Sequence, residues 1–264
     1  MQPAPPSSNG DRLRPILTLV AIVGTLGVNV FSNIAPLNGL NIGEISNTLF
    51  ADVKVTPANY AFVIWGLIYV GLIAFGIYQL RPEQRHNLTL QRISYLLMAA
   101  CIAQIIWVFL FLGRQFVLSV VAMLGILVPL AMMFLLLKKR HDRCSRLEKW
   151  FVQIPISVYF GWITVATVVN VATALYSVGW RGGGISSDVW TVILLGVSAA
   201  IAGVIAIRHQ DLAYVLVIVW AFVAIAVRQW GIPFIAIPAI GLAIGLLVTL
   251  LLKRLSHQPA SPET

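Results

Sequence analysis

The sequence predicts an all-α fold: a polytopic membrane helical bundle of eight transmembrane helices. Three observations carry this. Of the 264 residues, 59% are hydrophobic and only 10% charged, where soluble domains carry about 25% charged residues to face water. Eight long stretches contain no Asp, Glu, Lys or Arg. The basic residues fall between those stretches, mostly on one side of them.

The first stretch, 15–43, follows Arg12 and Arg14. A basic start with an apolar run also describes a secretory signal, whose core is about 7–15 residues and ends at a small-x-small cleavage site. This run is longer and shows no such site, so it reads as an uncleaved first helix. The others follow at 55–80, 93–113, 115–137, 150–180, 189–207, 212–227 and 229–252. A hydrocarbon core about 30 Å thick needs about 20 apolar residues at 1.5 Å each. Only 212–227 is short, and Arg228 can snorkel to extend it. Continuous rather than alternating apolarity excludes barrel strands, and in lipid the backbone must then be helical. Pro129, Pro155, Pro233 and Pro238 can kink their helices. Residues 1–14 and 253–264 read as tails.

An even number of spans puts both termini on one side. That side collects 14 Lys and Arg: Arg12, Arg14, Arg81, Arg85, Arg92, Arg208, Lys253, Arg254 and six in the 138–149 loop. The other side has four, Lys54, Arg114, Arg181 and Arg228. The positive-inside rule places both termini in the cytoplasm. The net charge of +9 is therefore an orientation signal, and no nucleic-acid partner is expected. Cys101 in the third span and Cys144 in the 138–149 loop predict no disulfide, and His86, His141, His209 and His257 form no metal-ligand spacing.

No ionisable residue lies in the middle of a span, which argues against proton relays and ion-coupled carriers. Paired carboxylates, a Ser/His/Asp set and a phosphate loop are absent too, so no catalytic or metal-binding residues are predicted. Gly182, Gly183 and Gly184 read as a flexible turn. Trp150, Trp180, Trp190 and Trp230 stand near span ends, as in an interfacial belt. Trp65, Trp107, Trp162 and Trp220 sit well inside, where an indole N–H wants a partner. Trp65 and Tyr69 share a helix face, as do Gln104 and Trp107, and Trp162, Ala166 and Asn170 form one stripe. Spacing alone leaves two readings open, helix–helix packing through small and polar residues or the lining of a ligand pocket. Asn29 with Asn33 read as interhelical hydrogen bonding or a dipped helix end, and Gly241-xxx-Gly245 as close packing or a homodimer contact.

Three segments carry a resemblance. Tyr60-Ala-Phe-Val-Ile-Trp65-Gly-Leu-Ile-Tyr69, Gln104-Ile-Ile-Trp107-Val-Phe-Leu-Phe-Leu-Gly113 and Trp162-Ile-Thr-Val-Ala166-Thr-Val-Val-Asn170 resemble the second-, third- and fifth-helix patterns of the TspO/MBR tryptophan-rich sensory proteins, relatives of the mitochondrial translocator. The likeness covers roughly 15–180. It implies a five-helix bundle there, followed by a three-helix extension at 181–252. In that family the bundle encloses a pocket for porphyrins and sterol-like molecules, capped by the loop after the first helix. By resemblance Trp65, Tyr69, Gln104, Trp107, Trp162, Ala166 and Asn170 form the ligand site, with Ala166 at a size-sensitive position.

The sequence departs from the pattern in several places. Thr56-Pro57-Ala58-Asn59 replaces a Trp-x-Pro-Pro entry, Gln104 stands where Asn is usual, and the fourth helix lacks its acidic residue. The 36–57 loop is longer than usual and carries Glu44 and Asp52. The resemblance is to the long bacterial branch, which implies the bacterial cytoplasmic membrane. The function it implies is a membrane-embedded binding or sensory-regulatory protein for a hydrophobic small molecule. That molecule would be a tetrapyrrole or sterol-like ligand, with no cofactor required. The rival class is a transporter or flippase of a hydrophobic metabolite. Porphyrin breakdown is the one enzymatic activity the resemblance carries. Expected partners are the bilayer, the small-molecule ligand and a second copy of the chain.

Overall fold

A computed structural model describes residues 9–139 and 145–256, with side chains from Leu13 onward. The tail predictions for 1–8 and 257–264, and those for Arg140, His141, Arg143, Cys144 and His257, lie outside the described residues. All regular structure among the described residues is helical. The helices are α1 (Asn9–Ile34), α2 (Ile42–Thr48), α3 (Ile64–Tyr78), α4 (Leu88–Leu112), α5 (Phe116–Lys138), α6 (Arg146–Glu148), α7 (Ile154–Ser177), α8 (Ser187–His209), α9 (Leu212–Arg228) and α10 (Pro233–Leu255). Seven helical runs are long and apolar enough to cross a membrane. The eighth, α9, has 17 residues, about 25 Å at 1.5 Å per residue. It is the span that the sequence marks as short.

Five helices close a ring in the order α1, α3, α7, α5, α4 and back to α1. The three remaining long helices, α8, α9 and α10, pack on one another and meet the ring chiefly through α9 against α7. Small residues set the close approaches. A Cβ on Gly71 would lie 3.0 Å from Pro155, and one on Gly161 would lie 3.1 Å from Val217 and 3.2 Å from the Tyr214 carbonyl. Apolar lipid does not drive helices together, so such close contact supplies the attraction.

Entry into α7 shows how a proline is absorbed. Pro155 lacks an N–H and its ring crowds the carbonyl four residues back. The five residues before α7, Lys149–Gln153, form a wider π-type turn in which Ile154 N–H reaches the Lys149 carbonyl. Pro155 and Pro233 both sit in first turns, where proline is tolerated, so of these four only Pro129 and Pro238 stand inside their helices, as Pro15 does in α1. The glycine triplet forms a turn with positive φ at all three residues. Gly182 has φ +92° and a Cβ there would lie 2.3 Å from the Ile185 carbonyl, while its own carbonyl accepts from Trp190 Nε1 at 2.9 Å.

At the tail end, buried Asp211 joins the two groups of helices. It caps α9 by accepting from Tyr214 N at 2.9 Å, accepts from Ser157 of α7 at 2.8 Å, and pairs with Lys138 of α5 at 2.8 Å. A Cβ on Gly241 or Gly245 of α10 would meet no atom of the described residues within 4 Å.

Candidate functional site

Inside the five-helix ring lies a cavity of about 410 Å³, within the 300–1,000 Å³ usual for small-molecule sites. Its floor is aromatic: Trp65, Trp107 and Trp162 line it together with Phe62 and Phe111. Each long helix contributes at a set depth, because these positions recur on the inward face of apolar helices that have no charged side to turn inward.

The floor is held by two hydrogen-bond chains. Trp107 Nε1 donates to Asn170 Oδ1 at 2.8 Å. Asn170 Nδ2 donates to Ser119 Oγ at 2.8 Å, and that hydroxyl donates to the Phe116 carbonyl at 2.7 Å. This chain ties α4, α7 and α5. In the second, Gln104 Nε2 donates to the Tyr69 hydroxyl at 2.9 Å, and the Tyr159 hydroxyl donates to Gln104 Oε1. That chain ties α4, α3 and α7. Trp65 stacks on Tyr69 with ring centroids 5.8 Å apart, and Phe62 meets Trp162 edge-on at 5.7 Å.

Two floor indoles stand outside these chains. Trp162 is buried and Trp65 half-buried; both line the cavity, yet neither indole N–H has a hydrogen-bond acceptor among the described residues. The mouth has a different character. It carries Asn29, Asn33, Asn41, Glu44, Asn47 and Asn59. Among the described residues, no Lys, Arg, His or Cys lines the cavity.

The lid is residues 41–58, centred on α2. Asn41 Oδ1 accepts from Glu44 N at 2.9 Å and Glu44 Oε2 accepts from Asn41 N at 2.8 Å, a reciprocal capping box. Ile45, Phe50, Val53 and Val55 are buried under it. Phe50 packs edge-on against Phe116 with centroids 4.7 Å apart, and Tyr176 donates to Asp52 at 2.7 Å.

The sequence matches the family described as TSPO-like protein across residues 15–252. The chain belongs to the TSPO-like family. No curated protein and no solved structure matches it. The match runs through α8, α9 and α10, so those three helices lie within the matched length. With its run of apolar helices, this TSPO-like protein is an integral multi-pass membrane protein.

Of the residues predicted for the site, Trp65, Gln104, Trp107, Trp162, Ala166 and Asn170 all line the cavity. Tyr69 does not. It lies behind, 4% exposed, holding Gln104 and stacking on Trp65. The amides of Gln104 and Asn170 are engaged with other side chains, as the packing reading expects, and the same positions face a cavity. Asn29 and Asn33 reach the mouth, where the Asn33 amide bonds the Asn29 carbonyl within its own helix at 2.8 Å. The 36–57 stretch, expected as a loop, contains helix α2, whose start is signalled by Asn41-x-x-Glu44, a capping-box spacing ahead of Ile45.

Two further hollows differ in kind. A groove of about 1260 Å³ runs between α3, α7 and α9, walled by exposed Leu67, Val70 and Leu216. Another of about 530 Å³ lies beside Trp180 and Trp190. Trp180 and Trp190 meet edge-on at 5.2 Å, and both stand at helix ends together with the exposed Trp150 and Trp230.

Proposed function

We propose that the cavity binds a flat, apolar, uncharged small molecule bearing hydrogen-bond acceptors, and that the protein is a membrane-embedded binding or sensory-regulatory protein for it. One observation carries the reading: an aromatic floor in which the Trp65 and Trp162 indole N–H groups lack protein acceptors. Indole faces favour stacking on a flat ring system. An acceptor on a ligand in the cavity would gain a hydrogen bond from each of these N–H groups.

Tetrapyrrole and sterol-like ligands, the classes the resemblance implies, are weighed by the same chemistry. The face of a tetrapyrrole matches the indoles. Its carboxylates would meet amides and Glu44 at the mouth rather than cations, and burying an unpaired carboxylate is costly. An esterified or otherwise neutral ring is the better match. The lining also favours binding over catalysis. Among the described residues its one carboxylate, Glu44, is engaged with the Asn41 backbone N–H, and no His or Cys lines it to move a proton or ligate a metal.

The test is titration of protoporphyrin IX dimethyl ester and of the free diacid, followed by quenching of tryptophan fluorescence. The ester is expected to bind, the diacid more weakly, and Trp65→Phe, Trp162→Phe to weaken the ester about tenfold by removing both free N–H donors while keeping rings. Tighter binding of the diacid would overturn the uncharged-ligand reading. Flux of the ester into proteoliposomes, absent from protein-free vesicles, would replace the sensor with the transporter.

A further inference from the structure

We propose that α8 and α9 hold the lid of the cavity, with Arg228 as the positioning residue. The proposal rests on the ligand-binding reading only for its second measurement below.

The segment 41–58 is fastened from two directions. Phe50 and Asp52 fasten it to the ring helices through Phe116 and Tyr176. Its other polar links to distant residues, among the described residues, cross to α8 and α9. Arg228 Nη1 donates to Asn47 Oδ1 at 2.7 Å and to the Pro57 carbonyl at 3.4 Å. Gln229 Nε2 donates to the Lys54 carbonyl at 3.0 Å, and Lys54 forms an ion pair with Asp188 of α8. Ala58 N donates to the Ala224 carbonyl at 3.1 Å. Trp220 Nε1 donates to the Ala61 carbonyl at 3.1 Å just beyond.

Arg228 differs from the other links because its partner lines the cavity. Asn47 is a wall residue of the mouth. Its Oδ1 accepts from Arg228 and its Nδ2 donates to Asn59 Oδ1 at 2.9 Å, so both ends of the amide are set. A guanidinium suits the task, since its planar fork serves two acceptors from a fixed geometry. Its charge also lies in the last turn of α9, where the helix dipole favours a cation. Sequence reasoning expects this arginine to snorkel toward a membrane surface. Its side chain turns to the lid.

A seven-residue helix such as α2 is far too short to persist alone in water. Its position is therefore set by what fastens it. Lid seating on the cavity and lid seating on α9 are one event, and linkage makes the coupling reciprocal. A ligand that seats the lid tightens the Arg228 contact, and a change in the three-helix group that withdraws Arg228 loosens the mouth.

Hydrogen–deuterium exchange of the full chain in detergent, read on peptides covering 42–58, tests this without any ligand. Arg228→Ala is expected to speed exchange there about tenfold or more, and Arg228→Lys by less. Peptides from the middles of α4 and α7 should be unchanged. Asn47→Ala, which leaves α9 untouched, should give the same rise, and the double variant no more than either. Unchanged exchange over 42–58 in both single variants overturns the proposal. Should Arg228→Ala disturb α7 as well, Asn47→Ala alone decides. The second measurement is dissociation of protoporphyrin IX dimethyl ester, expected about tenfold faster in Arg228→Ala. Absence of ester binding to the unaltered protein would fail the ligand reading while the exchange result still judged the lid.

Discussion

The floor of the cavity and its lid are built in opposite ways. The floor rests on four long helices, and its amides and phenols are spent on one another: Trp107 on Asn170, Asn170 on Ser119, Gln104 between Tyr69 and Tyr159. The lid is one short helix and its flanks, stabilised locally by the Asn41–Glu44 box and otherwise by partners far along the chain. A surface meant to recognise a rigid molecule gains from preorganisation. A cover that must move gains from contacts that break singly at low cost. The difference separates recognition from access.

Breaking the floor should have the largest effect. Trp107→Ala removes a buried ring and strips Asn170 of its donor, and a loss of about 3–5 kcal/mol is expected from the truncation. Denaturant unfolding in mixed micelles measures it. A loss near zero would mean the indole is not part of a packed floor. Asn170→Ala comes next, with about 1–2 kcal/mol expected: it keeps the ring but leaves the Trp107 N–H without an acceptor in a protein interior. The two losses should be clearly less than additive, because the shared hydrogen bond is counted twice.

Much of the floor was legible in the sequence and little of the lid. Trp65, Gln104, Trp107, Trp162, Ala166 and Asn170 recur at helical spacing on uninterrupted apolar runs, and one stretch of chain fixes each residue's face. Tyr69 shares a helical face with Trp65 but lies one layer deeper, a distinction of depth that periodicity does not encode. The lid depends on pairings 171–181 residues apart, such as Pro57 and Asn47 with Arg228. Nothing local in Arg228 distinguishes a lid contact from a charge at a span end. The same holds for Asp211, which reads as an ordinary helix cap and a break between spans, yet joins Ser157 and Lys138 across the molecule.

Ala166→Leu sharpens the comparison by changing the room in the cavity while leaving both hydrogen-bond chains intact. Ala166 is partly buried and lines the cavity, so the added carbons enter empty space rather than a packed seam. Stability should change by less than about 1.5 kcal/mol, whereas the ester should bind about tenfold or more weakly. Equal binding in this variant would move the ligand away from the α7 stripe.

The smallest effect is expected at Asn41, and it isolates the lid from the floor. Asn41→Ala removes the side-chain half of the capping box and frees the Glu44 N–H, worth about 0.5–2 kcal/mol to the helix it caps. Because α2 contributes little to the ring, global unfolding should barely shift, while exchange over 42–48 should rise several-fold. Glu44→Gln keeps an acceptor for the Asn41 N–H and should fall between the two. If Asn41→Ala instead lowered global stability by as much as Asn170→Ala, lid and floor would form one cooperative unit, and access could not be adjusted without disturbing recognition.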